Sequence, residues 1–370
     1  MTSSPILKRL IKAATVVTVL LAVVLFGPDL NRATSLVDVQ INQAHAQTGG
    51  NVPGNVQGRL SEAEIWRRIR QGNPGMVTIP DKQAGIMIQS KGEAWRLFRT
   101  ETLGAFGVLM LFGAITFCLM FYLGRGRVRI EQGWSGRIIE RFNDLERFAH
   151  WLVAVSFIIL GLTGLNILYG RDVIMPLLGP EAFSTLTELG KLAHNYVGFA
   201  FMVGLALIFV LWVKNNFPNQ HDLVWLAKFG GLFSKHSHPP AKKFNAGQKI
   251  LFWLIILGGT SVSVTGVALI FPFQFEMFGP TFAVMNTLGL DLPTTLTAME
   301  EMQLSQLWHS IMALVMIAVV IGHIYIGSLG MEGAFDAMGS GEVDENWARE
   351  HHSLWVEEQE KAGSSAQGDD

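Results

Sequence analysis

Five stretches of the chain carry no Asp, Glu, Lys or Arg: 102–124, 148–170, 192–213, 250–275 and 302–331. Each reaches the roughly 20 residues that an apolar helix needs to cross the hydrocarbon core of a bilayer. Polar, glycine- and proline-containing connections separate them, so the pattern predicts an all-α membrane protein: a four-helix transmembrane bundle preceded by one further transmembrane helix. A shorter apolar run, 13–28, follows Lys8, Arg9 and Lys12. It has the form of a signal-peptide core, and Ala44-His45-Ala46 before Gln47 has the form of a cleavage site. The gap between run and site is long, which keeps an uncleaved anchor as the alternative. The expected organisation is a signal peptide or anchor over 1–46, an external segment over 47–101, the extra helix over 102–124, the four-helix domain over 125–335 and a tail over 336–370.

The charges in the connections predict an orientation. Arg125, Arg127, Arg129, Arg137, Arg141 and Arg147 lie between the first two spans. Lys214, Lys228, Lys235, Lys242, Lys243 and Lys249 lie between the third and fourth. The 171–191 connection has only Arg171 and Lys191, and 276–301 has no Lys or Arg. Positive charge is retained on the cytoplasmic side, so 125–147, 214–249 and the tail are expected inside, and 171–191 and 276–301 outside. Segment 47–101 then falls outside, as an exported N-terminus requires. The expected location is a bacterial inner membrane, with 47–101 periplasmic.

Composition agrees. Of 370 residues, 49% are hydrophobic and 16% charged, against about a quarter charged in ordinary soluble domains. The net charge of −2 and the lack of a basic stripe with interleaved aromatics give no sign of nucleic-acid binding. The one cysteine, Cys118, excludes an internal disulfide, a four-cysteine zinc site, an iron–sulfur cluster held by this chain alone and a covalent C-x-x-C-H haem. In an apolar run it reads as a small packing residue.

The chemistry lies in the histidines. His150, His194, His309 and His323 stand at or near the ends of apolar spans; the other six, His45, His221, His236, His238, His351 and His352, read as solvated polar residues. An ionisable side chain inside a membrane is costly and usually functional, although a single one often serves an interhelical hydrogen bond. The four sort by depth. With the orientation above, His150 lies near the inner face, and His194 and His309 near the outer. His323 follows His309 by fourteen residues, about 21 Å further along the same helix face and near the inner side. Neutral imidazole is a good axial ligand for haem iron, and two bis-histidine b haems, His194/His309 outside and His150/His323 inside, satisfy all four. A zinc site fits poorly, since no carboxylate or thiolate joins them. Gly161, Gly164, Gly198, Gly204, Gly322 and Gly327 flank the ligands; they suit either a macrocycle between helices or ordinary small-residue packing.

The motifs resemble one family. Arg147-Phe148-Ala149-His150-Trp151, Leu192-Ala193-His194-Asn195-Tyr196-Val197-Gly198, Lys243-Phe244-Asn245-Ala246-Gly247-Gln248-Lys249, Trp308-His309, His323-Ile324-Tyr325 and Trp347-Ala348-Arg349 are similar to motifs of the formate dehydrogenase cytochrome b556 (gamma) subunit. The likeness covers roughly 138–360. Shorter family members begin just before the His150 span, so the N-terminal extension and first span depart from them.

The resemblance implies that the four histidines hold two b haems, with His150, His194, His309 and His323 binding the iron. It also implies a quinone site beside the inner haem, with Asn245, Gly247 and His323 contacting the head group. Read without the family, Asn245-Ala246-Gly247 is a turn capped by Asn at a helix start. The implied partners are an iron–sulfur (beta) subunit and a molybdenum or tungsten catalytic (alpha) subunit that oxidises formate, besides membrane lipid and quinone. Two other readings stay open: the cytochrome b of a hydrogenase or thiosulfate reductase, and a haem-free membrane anchor or transporter.

Overall fold

The computed structural model describes residues 92–234 and 236–366; the signal-like segment 1–46 and residues 47–91 lie outside it. Five helices are long and apolar enough to cross a membrane. Helix α1 (Gly92–Arg125) contains a π-turn at Phe98–Leu103. It is followed by α2 (Asp144–Val173), α3 (Pro180–Trp212), the short α4 (Gln220–Ala227), α5 (Ala246–Ile270), the short α6 (Phe278–Asn286) and α7 (Ala298–Tyr325). Helices α8 (Glu345–His351) and α9 (Ser353–Ala366) form the tail. The chain is an all-α membrane protein, as its apolar pattern predicts. The long helices mostly outrun the uncharged stretches because capped polar turns extend them: Asn143 and Glu146 form a capping box at the start of α2. Helix α5 instead stops short at Ile270, before the Phe271-Pro272 step.

The described residues divide into two compact units, one of 92–106 and 275–304, the other of 107–274 and 305–366. In the first, the buried Glu301 carboxylate accepts the backbone N–H groups of Met277, Phe278 and Gly279 at 2.7–3.0 Å and so caps α6. The negative charge sits at the helix N-terminus, where the free N–H groups favour it.

In the second unit, α2, α3, α5 and α7 pack through small residues. A Cβ at Gly204 of α3 would stand 2.7 Å from Val153 of α2. At Gly259 of α5 it would meet Leu205 and Phe201 of α3 at 3.1–3.3 Å, and at Gly258 it would meet Met312 and Met316 of α7 at 3.2 Å. Backbones approach this closely in membranes because packing, not water, drives helix association. The outward faces are apolar: Phe117, Leu162, Val210 and Leu257 are all exposed. Cys118 is buried, in keeping with a packing role. Gly107 of α1 lies so close to Tyr169 and Leu314 that any side chain there would overlap them.

The arginine-rich loop and the tail fold together at one end of this bundle. Strand β1 (Ile138–Glu140) pairs antiparallel with β2 (Glu342–Asp344), Ile139 opposite Val343. Asp344 accepts the N–H groups of Ser135 and Gly136, and Glu350 those of Glu131 and Gln132. Arg141 is 3% exposed; its guanidinium donates to the Lys243 carbonyl at 2.6 Å and lies 5.1–5.4 Å from the ring centres of Trp347 and Trp355. Such cation–π contacts strengthen when water is excluded.

This packing corrects the reading of the tail residue His352 as solvated, whereas His236 and His238 of the loop stay exposed, as that reading expects. His352 is 1% exposed, with one ring nitrogen 2.8 Å from the Lys242 carbonyl and the other 3.0 Å from Arg141. His236 and His238 both bind the Glu131 carboxylate. The tail is amphipathic and returns to the bundle, a long-range event that a local pattern does not reveal.

Candidate haem and quinone sites

The four membrane histidines come together as two pairs. His150, in the second turn of α2, faces His323, near the end of α7, with ring centres 6.2 Å apart and planes at 65°. His194 of α3 faces His309 of α7, also at 6.2 Å, with planes at 59°. The first pair lies at the arginine-rich end of the bundle and the second at the far end.

The spacing discriminates between explanations. Two imidazoles sharing a hydrogen bond would bring their ring centres to about 5 Å, and no such bond joins either pair. A metal-bound imidazole nitrogen sits about 2 Å from the ion. With each ring centre about 1 Å further back, two imidazoles on opposite sides of one metal have centres about 6 Å apart. Among the described residues no group of three or more His, Cys, Asp or Glu gathers as a metal site. Two trans ligands suit an ion whose remaining positions are filled by a macrocycle, so the residues fit b haem. Cβ atoms at Gly198 and Gly322 would meet nothing within 4 Å, whereas Gly204 is explained by helix packing alone.

Two threonines complete the far pair, and sequence reasoning missed them. Thr163 Oγ1 lies 2.8 Å from His194 Nδ1, and Thr265 Oγ1 lies 3.1 Å from His309 Nδ1. Each is followed by glycine, and a Cβ at Gly164 or Gly266 would touch the imidazole at 3.4–3.5 Å. The available signal was a Thr-Gly pair inside each of two apolar spans.

Asn245 and Gly247 lie at the start of α5, at the arginine-rich end. Asn245 Oδ1 accepts the Gln248 N–H at 2.9 Å, while Gln248 returns a bond to the Asn245 N–H at 3.0 Å. A Cβ at Gly247 would stand 2.8 Å from Trp225 of α4. Lys249, 4% exposed, binds both Asp222 oxygens at 2.8–3.0 Å and ties α4 to the same turn. The loop is therefore a built structure. It leaves the Asn245 amide NH2 and the first-turn N–H of Gly247 as donors, since the early N–H groups of a helix have no intrahelical partner.

The surrounding charges are arranged around buried groups. Glu146 receives Lys243 at 2.6 Å and the Trp212 indole N–H at 2.9 Å. Burial, and then the neighbouring Arg141 charge, hold the His352 imidazole well below its ordinary range. Burial, then His238 and Arg141, bring His351 down to about 4. Both are neutral at physiological pH. Hydrogen bonds from Ser135 and the Asn346 and Gly136 backbone outweigh the burial of Asp344 and hold its carboxyl below the usual range.

The chain is similar to several known proteins. It is 27% identical over 238 residues to the nitrate-inducible formate dehydrogenase cytochrome b556(Fdn) subunit of Escherichia coli, covering 64% of this chain and 98% of that one. It is 26% identical over 224 residues to the formate dehydrogenase cytochrome b556(fdo) subunit of the same organism, covering 60% and 94%. The formate dehydrogenase cytochrome b556 subunit of Haemophilus influenzae is 23% identical over 239 residues, covering 62% and 87%. Residues 141–341, more than half of the chain and including all four paired histidines, match the prokaryotic cytochrome b561 family. With its apolar helices, two imidazole pairs and that match, the chain belongs to the prokaryotic cytochrome b561 family and is an integral membrane cytochrome b.

Proposed function

We propose that this chain is the membrane subunit of a respiratory formate dehydrogenase, passing electrons from an external iron–sulfur subunit to quinone at the inner face. The observation that carries the reading is the pairing of four imidazoles at two levels, each pair at 6.2 Å. The relatives named as formate dehydrogenase cytochrome b556 subunits supply the electron donor. His194 with His309 would hold an outer b haem and His150 with His323 an inner one; bound there, haem supplies reversible one-electron transfer. Asn245 and Gly247 would donate hydrogen bonds to a quinone carbonyl, with His323 beside it. Formate oxidation belongs to a molybdenum or tungsten subunit, reached through the iron–sulfur subunit.

The orientation is part of the proposal: 1–46 as signal or anchor, 47–101 periplasmic, 102–124 an extra helix, 125–335 the haem domain, and 336–370 cytoplasmic in a bacterial inner membrane. Electrons moving inward and protons taken up inside together charge the membrane, at about 2.3 kcal/mol per unit charge per 100 mV. No proton channel through this chain is required.

The test is reduction of the b haems in native membranes. Formate should reduce them, with reoxidation by added quinone. Reduction by hydrogen and not formate would place the chain in a different complex.

A further inference from the structure

The two imidazole pairs differ in what holds their second nitrogens. A neutral imidazole that binds iron through Nε2 carries its proton on Nδ1, so at 2.8 Å His194 would donate to Thr163 Oγ1. The carbonyls of Ile159 and Leu160, at 2.7 and 3.2 Å, are acceptors for the one proton of that hydroxyl. Thr265 repeats this with the carbonyls of Ser261 and Val262 at 2.9 and 3.2 Å, and accepts from His309. Both imidazoles of this pair thus carry their proton on Nδ1, donate it, and keep Nε2 bare. At the other level, no side chain among the described residues offers a hydrogen bond to His150 Nδ1 or to the His323 ring.

We infer that Thr163 and Thr265 are positioning residues that set the outer haem at a lower reduction potential than the inner one. The inference rests on the two-haem reading above. An imidazole that donates a hydrogen bond through its far nitrogen becomes a more basic ligand. It gives more electron density to the iron and favours the ferric over the ferrous state, and hydrogen bonding to axial ligands is a recognised control of haem potential. Both ligands of the outer haem are strengthened in this way by side chains of this protein, and neither ligand of the inner one is when no quinone is bound. Electron transfer from the His194/His309 level to the His150/His323 level is then downhill, toward Asn245. The threonines also fix the tautomer, so that neither ligand rotates its protonated nitrogen toward the iron.

The experiment is a redox titration of the purified complex, followed by optical spectroscopy, for wild type, Thr163→Val, Thr265→Val and Thr163→Ser. The haem lost in His194→Ala should have the lower midpoint in wild type. That midpoint should rise in each valine variant and return toward wild type in the serine variant, while the second haem stays in place. Unchanged midpoints, or movement of the other haem, would overturn the inference. Should the valine variants fail to assemble, redox-difference infrared spectra of the wild type decide. Ligand-histidine ring modes at the lower-potential haem should report a donated Nδ1–H bond, and identical modes at both haems would refute it. Loss of no haem in His194→Ala would instead count against the two-haem reading itself.

Discussion

Asn245 accepts the backbone N–H of Gln248 at 2.9 Å, so the residue proposed to hold quinone is also the cap of helix α5. The two roles use different atoms. The cap uses Oδ1, and a quinone carbonyl would use the amide NH2. Asn245→Asp keeps a carboxylate cap of similar strength and removes the donor. Thermal stability should remain near wild type, while quinone reduction weakens about five- to tenfold, as for the loss of one hydrogen bond. Unaltered quinone kinetics in this variant would remove Asn245 from the site.

Gly247 carries a steric prediction. A methyl there meets Trp225 at 2.8 Å, and overpacking of this kind costs about 1–3 kcal/mol. Gly247→Ala should lower the thermal midpoint and raise the KM for quinone together, and Gly247→Ala with Trp225→Leu should recover stability first. A single variant as stable as wild type would show that Trp225 moves freely.

Lys249 and Asp222 form a buried ion pair one turn from the proposed quinone donors. Removing one partner strands the other charge, at about 3–5 kcal/mol. Asp222→Asn should therefore destabilise strongly, and Asp222→Leu with Lys249→Met much less. The comparison of thermal midpoints checks this; equal losses in both would deny that the pair is desolvated.

The docked tail should loosen in acid. His351 is held down to about 4 and His352 also well below the ordinary value, by burial first. A detached tail binds protons on these residues as pH falls through about 6.5, while the docked tail does not. The detached state then binds more protons, so docking is fully stable above pH 6.5 and weakens toward pH 4. The protection of amides over 345–356 relative to their intrinsic exchange rates should be high at pH 7.5 and lower at pH 5. Equal protection at both would contradict the neutral assignment.

The apolar stretches and the pairing of His150 with His323 and of His194 with His309 were legible because each depends on local composition and helical rise. The pairs at 6.2 Å are what that arithmetic anticipates. Thr163 and Thr265 were not legible, since a threonine in an apolar helix commonly bonds its own backbone, and both do so here as well. His352 was misread because its burial comes from the tail returning to Arg141, across 211 residues of sequence. The capping role of Asn245 was visible as Asn followed by Gln three residues later, the signature of a reciprocal cap.

The most direct test is haem content in the purified chain, by reduced-minus-oxidised spectra of wild type and the four histidine-to-alanine variants. Wild type should hold two b haems per chain. His194→Ala and His309→Ala should lose one and the same spectral component, and His150→Ala and His323→Ala the other. A chain without haem, or variants that lose components in any other combination, would contradict the account.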